Sequence, residues 1–134
     1  MLHLIYKHFK THLKNSFPDI TVDDYKGEFN EKSPTEWNPR FPCCLIMLED
    51  YAPVIRAASN QIIKHSVNFT LFFADKNDNN FKDVQEIIDT FNGVNLLIGG
   101  ELVGIYCNIQ VNSVKFVTAI KSVRVHSIEI SIQL

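Results

Sequence analysis

The chain has 134 residues, 46% hydrophobic and 21% charged, with a formal charge of -2 at pH 7. This is an ordinary globular composition for one domain, and the near-neutral charge gives no whole-chain case for nucleic-acid or membrane-surface binding. A chain of this size buries about 65–70 % of its unfolded surface, enough for one core, and ten phenylalanines against one tryptophan supply its bulk.

Residues 1 to 16 have the spacing of an amphipathic helix. Leu2, Ile5, Phe9 and Leu13 form one stripe with Tyr6 beside it, and Lys7, Lys10, Thr11 and Lys14 lie away from it. Lys7, His8 and Lys10 interrupt the apolar start at once, so it does not read as a signal peptide, and no apolar run is long enough to span a bilayer. Phe17-Pro18 ends the helix, because the residue before proline is pushed out of helical dihedrals. Ile20 and Val22, alternating with Thr21 and Asp23, start a first strand that runs to about Tyr25.

Residues 26–41 are irregular, with Gly27, Pro34 and Pro39 between Phe29, Trp37 and Phe41. So long a loop in a compact domain tends to be functional, and its aromatic residues have no use in a solvated linker. Pro42 to Glu49 is a continuous apolar run, the mark of a central strand covered on both faces. Pro53 is expected to break the ladder, so residues 51–60 read as a connection.

From Gln61 to Asp75 the residues alternate. Ile63, Val67, Phe69, Leu71 and Phe73 fall on one side, and Lys64, Ser66, Asn68 and Thr70 on the other. That is a strand with one buried and one wetter face. At roughly 3.3 Å per residue it reaches about 45 Å, more than twice a usual strand, so it bends or one end projects. On this reading Thr70→Arg is expected to be nearly neutral for folding.

Asn80 is placed to cap a second helix, with Phe81, Val84, Ile87, Ile88 and Phe91 at helical spacing and Asn92-Gly93 as its stop. Asn95–Ile98, a Gly99-Gly100 turn and a strand from about Leu102 to Asn112 read as a hairpin. Val114–Val117 is a weaker strand. In Ser122 to Leu134 the apolar parity changes between Val123, Val125 and Ile128, Ile130, Ile132, which predicts a bulge or bend near His126-Ser127. The order α-β-β-β-α-β-β-β implies α+β, a single domain with a mainly antiparallel sheet and two helices packed on it. No repeat or low-complexity tract is present.

The three cysteines are Cys43, Cys44 and Cys107. Neighbours in a strand point to opposite faces, so Cys43 and Cys44 cannot share a tetrahedral metal site, and the odd count reads as reduced, buried thiols. No Gly-rich phosphate loop, Gly-x-Ser-x-Gly, His-Glu-x-x-His or Cys-x-x-Cys occurs. His8 and His12 are one helical turn apart but have no acidic or thiol companion nearby in sequence, so they read as two solvated histidines. Glu49-Asp50 resembles half of a metal-dependent nuclease site, but Ala52 stands where a lysine would help, and a solvated strand end is the plainer reading. Lys7, Lys10 and Lys14, or Lys115, Lys121 and Arg124, are small clusters balanced by carboxylates. Trp37 and Phe41 read either as part of the chain's own core or as contact anchors. The expectation is a chain with no catalytic residue, metal or cofactor.

With the elements in this order, the chain resembles the tail-terminator (tail-completion, head–tail joining) proteins of long-tailed phages and phage-derived particles. The likeness covers nearly the whole chain. It lies in an N-terminal helix, a strand like Ile20–Tyr25 and a long loop, then the proline-led Pro42-Cys-Cys-Leu-Ile. A long alternating strand ending near Ala74-Asp-Lys-Asn, a helix closing with Phe91-Asn-Gly93 and a run of antiparallel strands complete it. The loop 26–41 and the number of strands after Gly100 depart from the simplest pattern. The resemblance implies a structural virion protein, assembled in the host cytoplasm. It would form a homo-oligomeric ring, commonly of six copies, on the tail tube, ending tube polymerisation and meeting the head connector. It implies no membrane and no sequence-specific nucleic acid. A ring needs a heterologous interface, for which the aromatic loop (Trp37, Phe41) and the outer face of the long strand (Lys64, Ser66, Asn68, Thr70) are the candidate patches. The alternatives are another neck or minor capsid protein, or a small enzyme or ligand-binding domain whose site converges only in three dimensions.

Overall fold

The structure, a computed structural model, describes residues 2–29, 40–56, 61–76, 80–98, 105–120 and 122–133. The elements are α1 (Leu2–Ser16), β1 (Thr21–Asp24), β2 (Cys43–Arg56), β3 (Gln61–Asp75), α2 (Asn80–Phe91), β4 (Asn95–Ile98), β5 (Ile105–Ile120) and β6 (Val123–Gln133). The strands form one six-stranded sheet in the order β1-β2-β3-β6-β5-β4. Only β1 and β2 pair in parallel; the other neighbours are antiparallel. The fold is α+β, with the expected element order.

Both helices lie on one face of the sheet, and their sequences say why. In α1 the buried residues are Ile5, Phe9 and Leu13, four apart and therefore on one stripe. In α2 they are Val84, Ile87 and Phe91. Asn92 continues the last turn by donating to the Ile88 carbonyl, and Gly93 leaves it at φ 75°, a backbone region that favours glycine. The Gly93 N–H then donates to the Ile109 carbonyl at 2.8 Å, so the helix stop delivers the chain straight onto β5.

Under the helices, β3 contributes Val67, Phe69, Leu71 and Phe73, joined by Cys44 and Ile46 of β2, Ile109 of β5 and Ile128, Ile130 and Ile132 of β6. Phe9 is the joint of this core. Its ring stacks on Phe69 at 5.5 Å and 3°, and meets Phe91 of α2 at 5.4 Å and 57°. One side chain thus ties both helices to the central strand.

The other face is apolar only at one end. Cys43, Leu45, Ala74, Val123 and Val125 are buried there under Phe29, with Tyr25, Phe41 and Phe72 packed around them. Tyr25 stacks on Phe72 at 4.2 Å. Tyr25, Phe29 and Phe41, from the segment after β1, therefore cover this end of the second face.

This second core corrects the reading of β6. The β3–β6 register runs unbroken from Asp75↔Arg124 to Ser66↔Gln133, so β6 has no bulge at His126-Ser127. The parity changes because Val123 and Val125 enter the second core and Ile128, Ile130 and Ile132 the first. The irregularities lie on β5, between Val111 and Ser113 and between Phe116 and Thr118. β5 also continues to Ile120 and absorbs Val114–Val117 into one strand. Pro53 does not break the ladder: it sits in β2 opposite His65. β1 pairs with β2 only over Cys43–Ile46, so Pro53 lies on an edge, where a missing N–H is tolerated. The Gly99-Gly100 turn lies outside the described residues.

Phe69→Ala should cost roughly 3–5 kcal/mol. Combined with Phe9→Ala, a double-mutant cycle by denaturant unfolding should show a coupling of about 0.5–1.5 kcal/mol from the stacked pair. Strictly additive losses would mean that the stack does not join helix to sheet.

Candidate assembly surfaces

Beyond the second core, the helix-free face turns polar. Thr70 Oγ1 donates to Glu49 Oε1 at 2.7 Å, and Glu49 is the extra residue of a bulge in β2, between Leu48↔Phe69 and Asp50↔Asn68. On β6, Ser131 Oγ donates to Asn68 Oδ1 at 2.7 Å and accepts from Asn112 Nδ2 at 2.6 Å. Ser113 Oγ donates to Glu129 Oε2 at 2.9 Å, and Lys115 Nζ lies 3.5 Å from Glu129 Oε1. The result is a polar stripe across β2, β3, β6 and β5, with no helix over it among the described residues. Hydroxyls and amides that bond one another hold their rotamers, so the stripe presents fixed donors and acceptors.

Of the residues expected to form an interface, Ser66 and Asn68 are half-buried on this face, and Asn68 belongs to the stripe. Thr70 is a correction. It is only 5% exposed and bonded to Glu49, so it does not face water, and an arginine there has no room. Phe41 is half-buried against its own second core, with Lys76 Nζ over its ring at 5.5 Å. Trp37 and the side chain of Lys64 lie outside the described residues. Glu49, Asn112, Ser113, Glu129 and Ser131 were not singled out from the sequence. The alternation of Glu129 and Ser131 with Ile128, Ile130 and Ile132 was the signal available.

Toward its start, the long strand keeps only β2 as a partner among the described residues. β6 pairs with β3 only over Ser66–Asp75, and the segment from Gln61 to His65 pairs with β2 alone among the described residues. At the same end of the sheet, Ile105–Cys107 of β5 pair with β4 and lie beyond the β6 ladder, which begins at Asn108↔Gln133. At this end of the sheet β2 pairs with β3, and β4 with β5, beyond the described β6 ladder.

Cys43 and Cys44 are free and buried on opposite faces, and burial pushes both thiols up, Cys43 to about 12. His8 and His12 are half-buried rather than solvated, and His12 stands edge-on to Phe91 at 5.4 Å. Glu49-Asp50 lie inside β2, not at a strand end. A cleft of about 270 Å³ between the end of α1 and α2 is lined by Asp19, Asp83 and Glu86 among others. Burial, then a hydrogen bond with Asp75 and the charges of Asp75 and Glu86, push the Asp83 carboxyl above its ordinary range. Among the described residues no three His, Cys, Asp or Glu side chains are grouped to hold a metal ion, and no helix is long and apolar enough to cross a membrane. No protein-family model and no curated protein matches the chain.

His126 is 3% exposed, with its ring 5.2 Å from Phe81 and 5.7 Å from Phe116. Its Nδ1 has no hydrogen-bond partner among the described residues. Burial, with Arg124 adding to it, holds its pKa below the ordinary 6.5. The unfolded chain therefore takes up this proton first as pH falls. Stability from this group is present above pH 6.5 and is lost as pH falls through 6.5 toward the lowered native value. The melting temperature should fall over that window, and His126→Gln should flatten the fall; an unchanged slope in the variant would assign the effect to other groups.

Thr70→Arg should melt well below wild type, by roughly 1–3 kcal/mol for overpacking a buried site. Thr70→Val, close in shape, should lose only about 1 kcal/mol with its hydrogen bond. Equal melting of Thr70→Arg and wild type would put the face back in water.

Proposed function

We propose that this chain is a structural component of a phage or phage-derived particle, a tail-completion protein that forms a ring on the end of the tail tube. It ends tube polymerisation there and offers a surface to the head connector. The reading starts from the resemblance in element layout, and the β2–β3 arm is the observation that carries it.

A domain core does not need that arm. The segment from Gln61 to His65 pairs only with β2 among the described residues. An isolated two-stranded ribbon is marginally stable in water. Extending one costs conformational entropy that its own contacts barely offset, and contacts with another chain supply what is missing. The hydrogen-bonded pairs of Thr70 with Glu49 and Ser131 with Asn68 lie next to the end of the described β6 ladder, where the arm begins. A polar strand face beside an arm suits a subunit that binds along a tube wall.

The test is complementation of a particle lacking this protein. Replacing residues 54–63 by an Asn-Gly turn should leave the melting temperature near wild type and abolish tail completion, seen as tails of uncontrolled length without heads. Normal, infectious particles from the shortened chain would overturn the reading.

A further inference from the structure

Two backbone edges of the sheet are open among the described residues, one on each side. β2 is paired by β1 only over Cys43–Ile46, which leaves its outer edge bare from Met47 to Arg56. On the far side, β4 covers β5 up to Asn108, Val94 bonds Ile109, and the Asn92 side chain accepts from the Val111 N–H. From Asn112 to Ile120 the outer edge of β5 is bare. Open edges of this kind invite a further strand.

We propose that the open edge of β5 in one copy of this chain adds antiparallel to the open edge of β2 in the next, seating Phe116 and Val114 in the groove beside Leu48. The inference deepens the ring reading and rests on it only for closure.

The direction follows from the ladders. β2–β3, β3–β6 and β6–β5 are all antiparallel, so β5 runs opposite to β2, and continuing the sheet into a second copy makes an antiparallel junction. The faces agree as well. Val114 stands opposite Ile128 and Phe116 opposite His126, on the helix side, and Leu48 stands opposite Phe69 on the same side. Phe116 is 61% exposed, Val114 37% and Leu48 46%. Beside Leu48 is an open apolar groove of about 300 Å³ lined by Leu2, His3, Tyr6 and Phe69. An apolar cavity of about 150 Å³ already accepts benzene, so the groove has room for the Phe116 ring. Tyr6, in its wall, has a hydroxyl with no hydrogen-bond partner among the described residues.

Charge matches on the opposite face. Lys115, between Val114 and Phe116, has a side chain 66% exposed and reaches Glu129 on the helix-free side. Glu49, which bonds Thr70 on that side, and exposed Asp50 make the β2 edge acidic. An antiparallel junction therefore sets lysine against carboxylate on one face and phenylalanine against an apolar groove on the other. The bulges flanking Ser113–Phe116 confine regular pairing to that short stretch, so side chains select the partner. The contact is heterologous. With the strands tilted to the axis, as in barrels, it closes into a ring; otherwise it propagates a filament.

The experiment follows mass against concentration for wild type, Leu48→Lys, Phe116→Lys and an equimolar mixture of the two variants. Wild type should associate by about 1 mM, the range of a weak contact of some -4 kcal/mol. Each variant alone should stay monomeric, its association weakened at least about tenfold, as expected for loss of a central apolar anchor. The mixture should form a dimer and nothing larger, because it retains one intact junction. Both residues are exposed, so both variants should melt as wild type does; Val114→Lys replaces Phe116→Lys if the latter melts low. A monomeric mixture beside an associating wild type, either variant associating like wild type, a wild-type species that stops at a dimer, or wild type still monomeric at about 1 mM would each overturn the edge junction. Tail completion by wild type in those cases would leave the ring reading standing. Open filaments with the expected variant pattern would support the junction and count against closure.

Discussion

Phe69 and Phe72 leave the same strand toward opposite sides, and each meets a ring. Phe69 stacks on Phe9 of α1 at 5.5 Å, and Phe72 on Tyr25 at 4.2 Å. At its C-terminal end β3 is thus buried twice, and the rest of the architecture answers that demand. Two helices cover one side. The other is covered at that end by Tyr25, Phe29 and Phe41. A segment with that task must carry aromatic residues without helical or strand periodicity, as Tyr25, Phe29 and Phe41 do. The same demand shapes β6, whose first half points valines at these rings and whose second half points isoleucines at the helices.

On the face away from the helices, the side chains of β3 turn from apolar to polar toward its start. Phe72 and Ala74 sit in the second core, Thr70 is buried but bonded to Glu49, Asn68 and Ser66 are half-buried, and residues 61–65 pair with β2 alone among the described residues. The physical cause is the cost of burying polar groups. A hydroxyl or amide enters the low-dielectric interior only where it finds a partner, and β2 and β6 supply those partners one by one until the sheet narrows. Local stability should follow the same gradient, highest at the stacked rings and lowest in the arm.

Much of this was legible from residue patterns. The alternation of Gln61 to Asp75 bounded β3, the four-residue spacing of Ile5, Phe9 and Leu13 oriented α1, and Asn92-Gly93 marked the end of α2. What failed has one physical source. Periodicity reports which residues alternate, not what covers each face. Thr70 read as wet because the neighbours that enclose it come from distant strands. The parity change at His126-Ser127 read as a bulge or a bend because a second core could not be foreseen. Pro53 read as a break because its edge position depends on how short β1 is. The candidate site was legible only as a strand face: Ser66 and Asn68 lie on it and Asn68 belongs to the stripe, but Glu49 and Glu129 join it through cross-strand contact, which no local pattern carries.

The open edges raise a question that folding alone does not answer. A bare strand with exposed Val114, Phe116 and Val117 is a liability for a solitary domain, and such edges are commonly blunted by charge, proline or bulges. This sheet uses all three devices, with Lys115, Pro53 and the bulges at Glu49 and on β5, yet it keeps large apolar side chains on the regular stretch between the β5 bulges. Blunting that served only to prevent contact would have replaced those side chains as well. Devices that shorten the pairing while sparing its anchors weaken association without removing its specificity. Under the ring reading proposed above, a subunit that stays separate in solution and joins its neighbours when a template raises the local concentration would need that combination.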